Sequence, residues 1–349
     1  MKSRHRLIFS VCLALLSGTC LSAPSQAQKG DVAALSVKIN ELGRAGKYAE
    51  AVALAQGQVE SLEKKYGPVH RDVGAALNNL AQAYGNQGRD GEAEPLLKRS
   101  IAILEKTAGL DSPEIAAALN NLAALYQRQE RYADAEPLFK RALAVREKAL
   151  GRGHPDLGQS LNNLATHYEK LGRHSDSEPL FRRALAIYEK AAGPEHPAVA
   201  TLLNNLGQVG KVQGRYAEAE PLIRRSLVIR EKVLGREHPD VARSLNNLAD
   251  LYERQGRYAD AGPLFERALA IRERAVGPDH PDTATSTNNL AAFYQASGRP
   301  GDALPLVQRL IGNGRAQPRA ALPVLADAER RQGERCFRKI RPVRSGARP

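Results

Sequence analysis

The sequence predicts an all-α fold, a right-handed α-solenoid of stacked helix-turn-helix units. Three observations carry that prediction. The tetrapeptide Asn78-Asn79-Leu80-Ala81 returns every 42 residues, beginning at Asn120, Asn162, Asn204, Asn246 and Asn288, with Gly207 as its only substitution. Within each copy the apolar residues fall at helical spacing. A glycine then interrupts the pattern once per copy. A fixed period of this length marks one supersecondary unit stacked many times, each unit burying its apolar face against its neighbours.

The first residues read as a leader rather than as part of the fold. Lys2, Arg4 and Arg6 precede an uncharged apolar run from Leu7 to Leu21, and Ser25-Gln26-Ala27 offers small residues for cleavage. This is the layout of a secretory signal peptide spanning 1–27. The run falls short of the ~20 residues that cross a bilayer. A lipoprotein reading at Cys20 is weakened by Thr19, which stands where a small residue is wanted. With Cys12 and Cys20 removed, the mature chain keeps only Cys336, so no internal disulfide is expected.

Residues 28–333 form the repeat array. The first, atypical repeat begins near Asp31 and lacks the Asn pair. In the copy from Asp240 to Val276, Leu245, Leu248, Ala249 and Tyr252 stand at i, i+3, i+4 and i+7, one stripe of a helix A. Gly256 ends it, since glycine takes positive φ without strain. Ala261, Leu264, Phe265, Ala268, Leu269 and Ile271 form the stripe of a helix B. A loop follows, and Pro281 with Asp282 suits the first turn of the next helix A. The turn glycine recurs at Gly46, Gly88, Gly172, Gly214, Gly256 and Gly298, with Glu130 in its place once. Seven repeats result. Pro95, Pro137, Pro179, Pro221, Pro263 and Pro305 fall one to two turns into helix B. Either they lie close enough to the start to be tolerated, or each helix B is kinked.

A degenerate eighth repeat keeps Leu322, Leu325, Ala326 and Gly333, with Glu329 replacing the tyrosine, as a water-facing cap requires. Residues 334–349 read as a basic disordered tail. The formal charge of +13 is uneven: residues 311–349 hold ten Lys/Arg against three Asp/Glu. The array itself is close to neutral, which argues against nucleic-acid binding along it.

The set Leu245, Leu248, Ala249, Tyr252, Gly256, Tyr258, Ala261 and Phe265 resembles the tetratricopeptide repeat. Ala268-Leu269-Ala270-Ile271-Arg272-Glu273 and Glu237-His238-Pro239-Asp240 are similar to the 42-residue repeats of kinesin light chain. The resemblance covers about residues 31–333. It implies that helix A lines a concave side that captures extended peptides, with asparagines bonding the peptide backbone. It does not carry over the motor role, because no heptad segment for a kinesin heavy chain is present. The export signal points instead to a bacterial envelope, with a periplasmic location.

On a helical wheel the second Asn of each pair (Asn79, Asn121, Asn163, Asn205, Asn247 and Asn289) lies nearly opposite the core stripe. An amide donates and accepts at once, so a ladder of them would hold extended chain with little sequence demand. The bland alternative is that the pairs knit neighbouring helices together. Arg128, Lys170, Arg243 and Arg254 make the middle of the groove mildly basic. That favours an acidic segment or a C-terminal carboxylate, unless these charges merely solvate the face.

Gly207 and Gly210 replace the usual Ala and Tyr, which predicts a cavity, a side-chain pocket or a loosened helix, unless it is simply drift in one repeat. His70, His154, His196, His238 and His280 sit in successive loops. Packed helices lie ~8–10 Å apart and zinc needs ligands at ~2.0–2.1 Å, so loop capping is the expected role. His167 and His174 are too isolated for a site. No phosphate loop, nucleophile elbow or zinc-binding helix motif is present. Neither a cofactor nor a metal is expected.

The sequence therefore predicts a non-enzymatic binding scaffold that grips a protein or peptide partner in its groove. The alternative is a structural assembly subunit that uses the repeat edges or convex face, singly or as an oligomer. The tail (Arg338, Lys339, Arg341, Arg344 and Arg348) is expected either to touch an anionic envelope surface or simply to be solvated.

Overall fold

A computed structural model describes residues 26–312. Most of the expected signal peptide, the capping repeat, Cys336 and the basic tail lie outside the described residues. The fold is all-α: seven helix pairs follow one another in the described chain. They are α1 (Gln26–Arg44) with α2 (Tyr48–Tyr66), α3 (Arg71–Asn86) with α4 (Asp90–Ala108), and α5 (Pro113–Arg128) with α6 (Tyr132–Leu150). Then come α7 (Pro155–Lys170) with α8 (His174–Ala192), and α9 (Pro197–Val212) with α10 (Tyr216–Leu234). The last are α11 (Pro239–Arg254) with α12 (Tyr258–Val276), and α13 (Pro281–Ala296) with α14 (Pro300–Gly312). The described residues form two compact units, divided between Ser100 and Ile101. The first helix starts at Gln26, five residues ahead of the expected Asp31.

In the second unit each helix A packs on its own helix B, each helix B on the next helix A, and neighbouring A helices touch along the stack. This is an α-solenoid arrangement. The predicted stripes are the core: Leu245, Leu248, Ala249 and Tyr252 of α11 are buried, as are Ala261, Phe265, Ala268, Leu269 and Ile271 of α12. Small residues at the A–B crossing let the backbones close up, and an aromatic on three of the B helices (Phe139, Phe181, Phe265) fills the space beside them.

Helix starts and stops follow the local sequence. His70, His154, His196, His238 and His280 are the N-caps of their A helices. Each accepts at Nδ1 a hydrogen bond of 3.1–3.2 Å from the backbone N–H two residues on, which satisfies one of the donors a helix start leaves open. Helix A ends in a Schellman turn. Gly172 and Gly256 take positive φ, and the N–H of Arg173 and Arg257 reaches the carbonyl of Tyr168 and Tyr252 at 2.9 and 2.8 Å. The same arginines lie over those tyrosine rings, 4.3 and 4.0 Å from the centroids. Glu130 adopts φ 60 to make the same turn without a glycine.

The recurrent proline is the sixth residue of helix B, and the helix continues through it. Pro137 and Ala133 four residues earlier are both exposed, so the carbonyl that loses its partner lies on the solvent side. Ion pairs join successive B helices at the same spacing: Arg141–Glu105 at 2.5 Å, Arg225–Glu189 at 2.7 Å and Arg309–Glu273 at 2.5 Å. Each exposed pair contributes little alone, ~0–1 kcal/mol; their repetition sets the stacking register.

The methyl space expected to be empty at Gly207 is filled. A Cβ built on Gly207 would lie 2.4 Å from Ile223 Cγ1, and one on Gly210 would lie 3.3 Å from Ala219 Cβ. Ile223 stands where three other repeats carry phenylalanine (Phe139, Phe181, Phe265), and its β-branch occupies the space that an alanine methyl takes elsewhere. α9 runs unbroken through both glycines.

Candidate functional site

The two asparagines of each pair do different things. The first is the more deeply placed. Asn120, Asn204, Asn246 and Asn288 are buried, and Asn120 and Asn246 donate to Ser160 and Ser286 of the next helix A, both at 3.0 Å. The second is half-buried and reaches backwards. Asn205 donates to Asn162 Oδ1 at 3.1 Å, Asn247 to Asn204 Oδ1 at 2.8 Å, and Asn79 to Ser36 Oγ at 2.7 Å. Ser36 of α1 thus stands in for the missing first Asn of the atypical repeat.

These bonds place a rail of amides along the A helices. They also correct the wheel: the second Asn is not directed straight out, because the preceding helix A packs close enough to take one of its N–H bonds. Asn121, Asn163 and Asn289 are likewise half-buried. An amide that spends one N–H laterally still has a second N–H and a carbonyl oxygen. The lateral bond fixes its rotamer beforehand.

Around the rail, Arg128, Lys170, Arg243 and Arg254 are all exposed. Arg243 pairs with Asp240 at 3.0 Å and Arg254 with Asp250 at 3.2 Å. Asp250 also takes Lys211 of α9, which is only 8 % exposed at its side chain. The seam between α9 and α11 is therefore a charge network, where sequence reasoning expected a simple basic stretch.

Three cations on helix B escaped the sequence reading. Arg146, Arg230 and Arg272 occupy one position of the 42-residue period, inside the helix B stripe. Each lies against the start of the next helix A: Arg146 donates to the Asp156 carbonyl at 3.0 Å, Arg272 to the Asp282 carbonyl at 2.8 Å, and Arg230 to Ser244 Oγ at 2.5 Å. A charge recurring at an otherwise apolar stripe position was the available signal.

His167 is fully buried in α7 among Phe139, Tyr132 and Tyr168. Its Nδ1 lies 3.1 Å from Gln127 Oε1, which casts Nδ1 as the donor, and its buried Nε2 has no partner. Burial, the largest cause, pushes its pKa below the ordinary value, and the nearby cations Arg173, Lys140 and Lys170 add to this against Glu136. Glu136 itself is held low by hydrogen bonds from Lys140 and then Arg173. Among the described residues no cluster of His, Cys, Asp and Glu could hold a metal ion, and no helix is long and apolar enough to cross a membrane.

With this geometry in view, the likeness to known proteins is direct. The profile described as tetratricopeptide repeat matches residues 42–106, 114–190, 161–210, 199–272 and 246–316. No curated protein matches the chain in sequence. Among solved structures, a Podosopora anserina protein described as a kinesin light chain of nearly identical TPR-like repeats is 28 % identical. It covers 58 % of this chain and 96 % of its own, with a TM-score of 0.51. The apo form of RapI aligns at TM-score 0.62 with 14 % identity, over 82 % of this chain and 98 % of that one. The Cut9–Hcn1 hetero-tetramer of the APC/C aligns at 0.61 with 15 % identity, over 84 % and 48 %. The last two show the fold alone. The profile spans well over half of the sequence, and the 42-residue spacing is that of the kinesin light chain type: this chain belongs to the tetratricopeptide repeat family.

Proposed function

We propose that this protein is a non-catalytic scaffold that binds an extended segment of a partner protein along its A helices. The observation that carries this reading is the amide rail. Half-buried asparagines recur in six successive repeats, and Asn79, Asn205 and Asn247 are held by a neighbouring A helix with hydrogen-bonding capacity to spare. A peptide backbone offers a donor and an acceptor per residue, so such a rail suits an extended chain of many sequences. Selectivity then falls to the exposed positions that differ between repeats: Arg128, Lys170, Arg243 and Arg254. The partner segment is acidic or ends in a free carboxylate. Export with removal of residues 1–27, and contact of the basic tail with an anionic surface, complete the proposal for a periplasmic protein.

The test is capture of partners from an envelope extract. The native protein is compared with Asn163→Ala/Asn205→Ala/Asn247→Ala and with Asn162→Ala/Asn204→Ala, each checked for equal helicity and melting. The first variant removes amides from the rail; the second removes the lateral acceptors of Asn205 and Asn247. A partner lost with the first and at least partly kept with the second supports the groove. A partner kept by both overturns it.

One observation favours the alternative, assembly through the outer face. On α10, Val228, Val233 and Leu234 are exposed, whereas other repeats carry alanine in place of the two valines at 144, 149, 186, 191, 270 and 275. A partner seated there would survive both asparagine variants and be lost on Val228→Asp.

A further inference from the structure

We propose that the first repeats hold a binding pocket for a neutral sugar, a hexose unit that is either free or part of a glycan. This goes beyond the protein-scaffold reading and does not depend on it.

The pocket lies within the first compact unit. Asn40 and Gly43 of α1, Tyr48 at the start of α2, and Gln82 and Asn86 of α3 line a cleft of about 310 Å³, mostly with polar atoms. That volume is at the small end of ligand pockets, so the cleft suits one small unit rather than a long segment. Gly43 makes the space. The second repeat keeps a glycine at the same place in the period, Gly85, but the next five carry Gln127, Glu169, Lys211, Glu253 and Gln295. A side chain of that length would run into the cleft. The bare backbone also lets Asn86 close in: a Cβ built on Gly43 would lie 3.1 Å from Asn86 Nδ2.

The lining decides the ligand. Among the described residues every one that lines the cleft is uncharged. Each of the next five equivalent sets along the array brings in a charge: Asp90 with Arg128, then Lys170, then Glu169, then Lys211, then Asp250 with Glu253. Asn40, Gln82 and Asn86 are exposed, and among the described residues their amides form no side-chain hydrogen bond. Each amide has two N–H donors and a carbonyl acceptor. A hydroxyl also donates and accepts, so neighbouring hydroxyls on one ring match amides gathered around one cup. A charged ligand finds no counter-ion here, and an apolar one would take the amides out of water without replacing their bonds. A peptide backbone spreads its donors and acceptors along a line, one of each per residue.

Tyr48 completes the site. Elsewhere this tyrosine leans on a ring 35 residues on, Tyr132 on His167 and Tyr258 on Phe293, with centroids 6.1 and 6.2 Å apart. The residue 35 after Tyr48 is Ala83. The Tyr48 ring is 40 % exposed and is left to cover the C–H face of a sugar.

Saturation-transfer NMR on the full mature chain tests this with glucose, N-acetylglucosamine, maltotriose and chitotriose as probes. A Ser/Ala hexapeptide, acetylated and amidated, is the neutral peptide control. The proteins are native, Gly43→Gln, Tyr48→Ala, Asn86→Ala and Tyr258→Ala, each checked for equal helicity. The native protein is expected to bind at least one saccharide. A trimer bound about tenfold tighter than its monomer identifies a glycan as the source, and equal binding identifies a free sugar. Gly43→Gln copies Gln127 and Gln295 and favours the helix over glycine; it is expected to abolish saccharide binding. Tyr48→Ala and Asn86→Ala, both on exposed side chains, are expected to weaken binding by about tenfold or more. Tyr258→Ala, the same ring away from the cleft, is expected to leave it unchanged. A native protein that binds none of the four probes overturns the proposal. So does binding that survives Gly43→Gln or Tyr48→Ala, or that falls as far with Tyr258→Ala. A hexapeptide that binds in place of the saccharides and is lost with Gly43→Gln overturns it too, and gives the cleft to the peptide path. Partner capture that depends on Asn163, Asn205 and Asn247 is read separately, so the scaffold reading stands or falls on its own test.

Discussion

Gly207 offers a substitution whose sign depends on packing. Sibling repeats carry Ala123, Ala165, Ala249 and Ala291 at this position, so Gly207→Ala is a consensus change in the middle of a helix. Propensity alone favours it by ~1 kcal/mol. The geometry opposes it: the new methyl would lie 2.4 Å from Ile223 Cγ1, which is fully buried and branched next to the backbone, with Cδ1 at 3.1 Å. Overpacking of this sort costs about 1–3 kcal/mol. The expected net effect is destabilisation by about 1 kcal/mol once the propensity gain is subtracted. Repeat arrays lose two-state cooperativity, so the readout is hydrogen exchange over α9 and α10, with urea melting alongside. The partner substitution is Ile223→Ala, which removes the clashing atoms. In the double-mutant cycle the pair is expected to couple by at least ~1 kcal/mol, with Gly207→Ala turning favourable once Ile223 is gone. Slower exchange in the single Gly207→Ala variant, or additivity in the cycle, would refute the reasoning.

Other expectations follow from single residues. Glu130→Gly relieves a left-handed residue and is expected to stabilise the α5–α6 turn by about 1 kcal/mol, offset in part by unfolded-state entropy; urea melting of the two proteins decides it. His238→Ala removes an N-cap and is expected to cost about 0.5–1 kcal/mol, with His238→Asn restoring most of it; exchange at the N–H of Asp240 reports the cap directly. His167 is buried and its folded pKa lies below the unfolded value, so the unfolded chain binds the extra proton first. Its contribution is present in full above about pH 6.5, the ordinary histidine value, and is lost as pH falls from there towards the folded pKa. His167→Leu, which copies Leu125 and Leu251, is expected to flatten the pH dependence of melting below that point. An unchanged slope would place the titration elsewhere.

Much of this architecture was readable because one unit is written six times with small errors. The Leu-Leu-Ala-Tyr stripe, the turn glycine and the loop histidine each follow from helix geometry within a single repeat. The substitution of Glu130 for glycine even marked the one strained turn. What escaped the sequence lies between repeats. A helical wheel treats helix A as isolated, so it turned Asn205 and Asn247 towards solvent and left out the neighbouring helix that accepts their bonds. It also could not show that Ser36 takes the acceptor role where the Asn pair is missing. Gly207 read as a gap because volume was counted along α9 alone; Ile223, 16 residues on, supplies the missing atoms. Arg230 was hidden by its repeat siblings. Its siblings Arg146 and Arg272 donate to the carbonyls of Asp156 and Asp282, whereas it donates to Ser244 Oγ, a difference that only the folded state shows.

The most direct test of the scaffold reading places a photo-crosslinking residue on each face of the same repeats. Thr166 and Gln208 lie on the A-helix face beside the rail, and Val228 is 61 % exposed on α10. With envelope extract, the account predicts that probes at 166 and 208 cross-link one protein and that the probe at 228 does not. Cross-linking from 228 alone would contradict it and place the partner on the outer face.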